Sequence, residues 1–299
     1  MKRTKHTVTT RPSAILTSDW HLREDKPVCR TDDFWEAQWK KVAFVSDLQK
    51  KYDCVVIHAG DLFHHWKPSP YLLSTAIQYL PDKFHTVYGQ HDLPQHNIEL
   101  ANKSGVHTLV TSDRISLLQG IHFGQTPEGV STLEWDLTGC HRRMLVWHKL
   151  VWTGKKPWPK CLDPQAQDLL DQYFPYDVIV TGDNHTSFVV YKGHRALVNP
   201  GSLTRQTADQ AEYEPCVYLW YVDDNHVKRV DLPIKQDVIS REHIDVKAER
   251  DKRIEAFVER LTDDWESDVS FEQNLKRFEQ KNKIRQSVMG VIRKAMENE

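Results

Sequence analysis

The stretch CVVIHAGDLF, residues 54–63, sets the reading of the whole chain. Five of its first six residues are apolar, and the run is rich in β-branched types, which suits a short buried strand. Gly60 and Asp61 follow at once, where a strand gives way to a tight turn. Four other runs repeat that pattern. SAILTS (13–18) ends on Asp19-Trp20-His21 and FHTVY (84–88) on Gly89-Gln90-His91-Asp92; MLVW (144–147) ends on His148 and VIVT (178–181) on Gly182-Asp183-Asn184-His185. In α/β proteins ligands bind outside the carboxyl ends of the strands. These five strands are therefore expected to deliver carboxylates and imidazoles to one edge. A lone histidine at a strand end is ordinarily structural, but five such coincidences in order are not.

Helical periodicity fills the gaps. Trp35, Trp39, Val42, Val45 and Leu48 predict a helix from about residue 33 to 51, with Asp32 as N-cap. Ser69-Pro70 reads as cap and first-turn proline of a helix through Leu72, Leu73, Ala76, Ile77 and Leu80. Asp163-Pro164 repeats that signal before Leu169 and Leu170. From 188 to 222 the runs FVVY, ALV and CVYLWYV read as a meander of strands. Strands alternating with helices predict a layered α/β fold. Composition shifts near residue 245: the last 55 residues hold 12 basic and 13 acidic side chains. Ile254, Phe257, Val258 and Leu261 fall there at helical spacing. Two parts are expected, a main domain over 1–240 and a charged helical extension over 241–299. Between 275 and 296 seven basic residues face one acidic residue, Glu279, as in a solvated helical face or a docking helix.

Composition bounds the function. The chain of 299 residues has 40 Lys+Arg against 42 Asp+Glu, so any polyanion site must be a local patch. Lys149, Lys155, Lys156 and Lys160, interleaved with Trp147, Trp152 and Trp158, could form one, with lysines tracking phosphates and rings stacking on bases. The plainer alternative is that these tryptophans pack over a sheet edge. No apolar run approaches the ~18 residues that span a bilayer, so no membrane association is expected. The basic first twelve residues lack the apolar stretch of a secretory leader. Five scattered cysteines (Cys29, Cys54, Cys140, Cys161, Cys216) without a CxxC predict reduced thiols and a cytoplasmic protein.

Carboxylates and imidazoles without cysteine suit borderline to hard divalent ions and argue against a structural zinc site. The number of donors fits two ions ~3.5–4 Å apart, an arrangement that clamps a phosphoryl group. Gly60, Gly89 and Gly182 each precede a candidate donor, at turns where a Cβ would crowd the backbone.

The ordered series D-x-H, G-D, G-x-H-D, H, G-x-x-H resembles the calcineurin-like metallophosphoesterase family. Within it, GDLFHHWKPSPYLLSTAIQYL (60–80) and NPGS (199–202) are similar to the SbcD-type nuclease subunit of the double-strand-break-repair complex, here in a shortened phage-like or bacterial form. The resemblance covers roughly residues 15–203. It implies an α/β/β/α sandwich, with Asp19, His21 and His185 holding one ion and Asp61 bridging to a second. Gln90, His148 and Asp183 would complete the second site. It further implies that His91 stands beside the scissile phosphate as the acid, that Asp92 orients it by a hydrogen bond, and that His64 contacts the DNA backbone. His65 has no counterpart and is expected on a loop surface. The family usually has Asn at position 90 and His at position 183. Both departures keep a donor oxygen, so the second site is expected to be harder and to favour Mn²⁺ or Mg²⁺ over zinc. The competing expectation is a weakened site filled only with substrate or at high metal. The resemblance points to a metal-dependent DNA nuclease, most simply an exonuclease. A phosphoesterase acting on small molecules or proteins, and a regulatory subunit with a decayed site, are the alternatives. Expected partners are DNA and either a coiled-coil ATPase or a second copy, docked through the C-terminal helices.

Overall fold

The computed structural model describes residues 11–125, 133–137, 140–245, 249, 251, 252, 254, 275, 276, 279, 280 and 286–290. The chain divides into two units, Met1–Ser240 and Arg241–Glu299. In the second, residues 242–245 and 286–290 are helical. Ile254 is helical and half exposed; Phe257, Val258 and Leu261 lie outside the described residues.

The first unit is built on strands whose alternate residues face different cores. In β1 (Ala14–Thr17), Ile15 points one way and Ala14 and Leu16 the other; in β2 (Val55–His58), Val56 and Ile57 divide likewise. β6 (Cys140–Trp147), β7 (Val178–Thr181) and β9 (Arg195–Asn199) repeat this: Met144, Val146, Val178, Val180, Ala196 and Val198 face inward, and Leu145, Ile179 and Leu197 outward. A strand buried on both faces needs apolar residues at every position, which is why the runs read as continuous. Each Val, Leu, Ile or Met among them contributes about 1.5–3 kcal/mol on full burial.

Two sheets result. β11 (His226–Asp231), β10 (Cys216–Tyr221), β1, β2, β3 (Phe84–Thr86) and β4 (Ser116–Leu117) form the first, in that order. β1 to β4 run parallel, with β10 antiparallel against β1. The second sheet is ordered β5 (Leu133–Leu137), β6, β7, β9 and β8 (Phe188–Lys192), with β6, β7 and β9 parallel. The sheets share the central core, where Leu16, Ile57 and Trp220 meet Val146, Val180 and Val198. α1 (Phe34–Tyr52), α2 (Pro70–Tyr79) and α3 (Gly105–Thr111) cover the first sheet, and α4 (Ala166–Gln172) covers the second. This is the α/β/β/α sandwich.

Several expectations are corrected. The five ligand-bearing strands do not share one sheet edge: β1, β2 and β3 belong to one sheet and β6 and β7 to the other, so the site lies where two sheets meet. The stretch 188–222 is not a meander. β8 and β9 form a hairpin in the second sheet, and β10 crosses to the first. Asp33, not Asp32, caps α1, accepting from Glu36 N at 2.9 Å, because Asp32 is held by Arg30. Asp163 does not cap α4; its carboxylate meets Lys149 and its carbonyl accepts from Trp152 Nε1. Ser69 caps α2 through Leu72 N at 3.1 Å, with Pro70 at the first position.

Candidate metal centre

The two sheets are tied together at the carboxyl ends of their strands. Asp183 N, after β7, donates to both carboxylate oxygens of Asp19, after β1, at 3.1 and 3.2 Å. His148 Nδ1, after β6, pairs with the carbonyl of Ala59, after β2, at 2.7 Å. Leu203 N donates to Asp19 O at 3.2 Å. The loops close as tight turns: Asp19, His21, Asp61 and Asp183 all have positive φ, between 45° and 70°. Such angles are uncommon for residues with a Cβ, least so for Asp, Asn and His, and cluster at functional sites. Sequence patterns carry no sign of this strain.

Two groups of side chains converge there, Asp19 with His21 and His185, and Asp19 with Asp61 and His148. His21 Nε2 lies 3.8 Å from Asp19 Oδ1, 3.6 Å from Asp61 Oδ2 and 3.1 Å from His185 Nε2. His148 Nε2 lies 3.4 Å from Asp61 Oδ2. Asp61 thus stands between His21 and His148. Asp19, Asp61, His21 and His148 are buried, while His185 is partly exposed and forms the rim. A third group gathers His21, His64 and His91. The His64 and His91 rings stack at 5.4 Å, and His91 meets His21 edge-on at 4.8 Å.

These residues fit cations. Asp61 Oδ2 and His148 Nε2 are buried without a hydrogen bond and face one another. An unpartnered buried polar atom is costly, and a shared cation would satisfy both. Burial opposes the charge on His148, but the Asp61 carboxylate outweighs it and raises its pKa to about 10. A cation at Nε2 would take the place of that proton. Burial drives His21 well below the ordinary histidine range, leaving a neutral ring. Divalent cations held here would neutralise charge on a phosphoryl group and activate water for its attack.

The glycines act on the donors themselves, not only on backbone. A Cβ on Gly89 would strike the Asp61 carboxylate, and one on Gly60, whose φ is +95°, would strike the His148 ring.

Asp183 is in none of the three groups; its Oδ1 accepts from Gln90 Nε2 at 2.7 Å. The two residues that depart from the family pattern bond to one another beside the cluster, which leaves the Gln90 carbonyl oxygen as the atom it offers a cation. The expected bond from Asp92 to His91 is corrected. Asp92 is fully buried and accepts from Gly89 N, Asp61 N, Leu62 N and Phe63 N at 2.9–3.3 Å, so both its oxygens are spent on the turns after β2 and β3. Burial and the nearby Asp61 push Asp92 up to about 7, against the opposing pull of the Gly89 and Phe63 N–H groups. His91 is oriented instead by Asp61 Oδ1, which accepts from its backbone N at 2.8 Å, and by the His64 carbonyl at Nδ1, 2.9 Å. Burial and the Arg23 guanidinium hold His64 near 4, so its ring is neutral at ordinary pH. His65 is exposed. Trp147 is buried and Trp152 Nε1 donates to Asp163 O at 2.8 Å, so both pack on the protein; Trp158 is about half exposed.

Sequence reasoning missed Asn199 as a positioning residue. Its Nδ2 donates to the Asn184 and Thr186 carbonyls at 2.6 and 2.7 Å, which brackets His185. The NPGS stretch that contains it was the available signal.

An α/β/β/α sandwich with aspartates and histidines gathered at the joined strand ends defines a metal-dependent phosphoester hydrolase architecture. The calcineurin-like phosphoesterase superfamily domain matches residues 13–224, and the chain belongs to that superfamily, whose members typically use two metal ions. No curated protein sequence matches the chain. Similar solved structures include an archaeal phosphodiesterase, at 12% identity and a TM-score of 0.39, covering 73% of this chain and 99% of that one. Another is Vps29 of Entamoeba histolytica complexed with zinc, at 14% identity and a TM-score of 0.32, covering 73% and 98%. No helix among the described residues is long and apolar enough to cross a membrane.

Proposed function

We propose that this chain is a metal-dependent DNA nuclease, an exonuclease of the SbcD type, that hydrolyses phosphodiester bonds with two divalent cations. The observation that carries the reading is the pair of stacked imidazoles, His64 and His91, set against His21 at the rim of the metal cluster. His91 donates Nδ1–H to the His64 carbonyl, so Nε2 is the atom left to face a leaving oxygen. An imidazole suits that task because its unperturbed pKa of ~6.5 lies near the operating pH. His64 stands in the GDLFH stretch that is similar to the nuclease branch, and a neutral ring there can donate to a backbone phosphate.

Asp19, His21 and His185 hold one ion in this reading, Asp61 bridges, and His148 with Gln90 and Asp183 serves the second. Oxygen donors at positions 90 and 183 favour Mn²⁺, with Mg²⁺ next. Asp92 supports the turns that place Asp61 and Gln90. DNA is the substrate, in the cytoplasm, and the basic stretch within 275–296 serves as the docking segment for a coiled-coil ATPase or a second copy.

The test is purified protein with Mn²⁺ on end-labelled duplex and single-stranded DNA, alongside bis-p-nitrophenyl phosphate. Shortened DNA products lost in His91→Ala are expected. Hydrolysis of the small diester with no cleavage of any DNA would contradict the nuclease reading and favour a phosphoesterase of small substrates. Full activity in His91→Ala would remove the acid assigned here.

A further inference from the structure

A cavity of about 320 Å³ lies between the first turns of α1 and the segments around Arg205 and Lys235, and none of its lining residues belongs to the metal cluster. Three cations from separate parts of the chain enter its wall. Arg30, Lys41 and Arg205 are 5%, 4% and 4% exposed. Arg30 pairs with Asp32 through two bonds, at 2.8 and 2.6 Å, and donates its remaining arm to Arg205 O at 3.0 Å. Arg205 donates to the carbonyls of Ala211 and Lys235 at 2.8 and 2.6 Å; among the described residues no carboxylate is bonded to it, and Asp32, Glu212 and Asp237 act on its charge from farther off.

Lys41 is the odd member. Its ammonium makes one long bond, 3.4 Å, to Ala37 O in its own helix, and no acid lies within ion-pair distance among the described residues. Glu36, on the same wall, is engaged by Lys40 at 2.9 Å on the exposed side. Asp32 is bonded to Arg30 and is the carboxylate whose charge reaches Lys41, while Asp33, also on the wall, is spent on the cap of α1. A buried ammonium without a counter-charge is strongly disfavoured. Burial and the two guanidiniums push Lys41 down to about 8. The cavity is at the lower end of small-molecule sites, a size that suits a phosphoryl group with a small organic body.

We propose that this cavity is a binding site for a phosphate-type oxyanion, free or as the terminal group of a small phosphomonoester, with Lys41 as the cation that it neutralises. A multiply charged phosphate balances several cationic side chains drawn from separate segments better than a single carboxylate does. The inference is independent of the nuclease reading, since it uses none of those residues.

Calorimetric titration of the full chain, kept metal-free with a chelator near neutral pH, tests it. Inorganic phosphate and a nucleoside 5′-monophosphate are the two probes, with succinate as the dicarboxylate comparison. Saturable binding is expected, weakened about tenfold or more in Lys41→Gln and retained in Lys41→Arg. His148→Gln, in the metal cluster, should bind as the parent does. Tighter binding of the monophosphate identifies the organic ligand, and equal binding identifies free phosphate. No saturation up to about 10 mM of either probe, equal affinity in Lys41→Gln, or succinate binding as well as phosphate, would each overturn the proposal. A native circular dichroism spectrum of Lys41→Gln ensures that lost binding is not lost folding.

Discussion

At the scale of single residues, Asp61 has the most consequential position. One of its oxygens accepts from His91 N, while the other faces His148 and His21 with no hydrogen bond of its own. Asp61→Ala should lower phosphodiesterase activity by about 10³-fold or more, and calorimetry with Mn²⁺ should lose the binding shared between the two donor groups. Undiminished turnover would refute its bridging place. Lys41 supports a second expectation, on stability. Its folded pKa, about 8, lies below the ordinary 10.5, so the unfolded chain binds more protons between those values and stability rises with pH across that window. Lys41→Met should therefore melt higher than the parent below pH 8, with the gap closing as pH approaches 10.5. Melting curves of both proteins over that range measure it, and a constant gap would contradict the assignment. The strings D-x-H, G-D, G-x-H-D, H and G-x-x-H made most of the site residues legible. What they could not carry was hydrogen-bond direction. Asp92 follows His91 in sequence, yet its carboxylate turns back onto four backbone N–H groups.

At the scale of elements, the turns after the strands are held open by glycine. Gly89→Ala would drive a methyl into the Asp61 carboxylate. It should cost about 2–3 kcal/mol in denaturant unfolding and weaken metal binding as well. A neutral result would mean that the turn relaxes and that the glycine is dispensable. Element type was plain in the sequence because doubly buried strands read as unbroken apolar runs and α2 carries Ser69-Pro70 at its start. Helix caps were less secure. Asp32 and Asp33 are equally good by type, and only the pairing of Asp32 with Arg30 decides between them. Asp163 precedes a proline as Ser69 does, but Lys149 and the Trp152 indole take it up.

At the scale of the whole molecule, the site exists because two sheets meet with their strand ends aligned. Sequence order could list the five ligand-bearing strands but not divide them between sheets, because every one is followed by the same donor types, Asp or His. The division shows only in pairing, where β10 returns to β1 while β8 and β9 stay with β7. Cations at this seam would link the sheets, so binding should stabilise the folded chain as a whole. At a hundredfold excess over the dissociation constant the gain is about 2.7 kcal/mol, or roughly 5–10 °C in melting temperature for a domain of this size. A chelator should reverse it.

The paired-cation centre itself is tested most directly by anomalous diffraction from a crystal grown with Mn²⁺. Two peaks ~3.5–4 Å apart are expected, one beside Asp19, His21 and His185, the other beside His148, with Asp61 touching both. A map with no peak at these side chains, or with manganese bound only elsewhere on the molecule, would contradict the account.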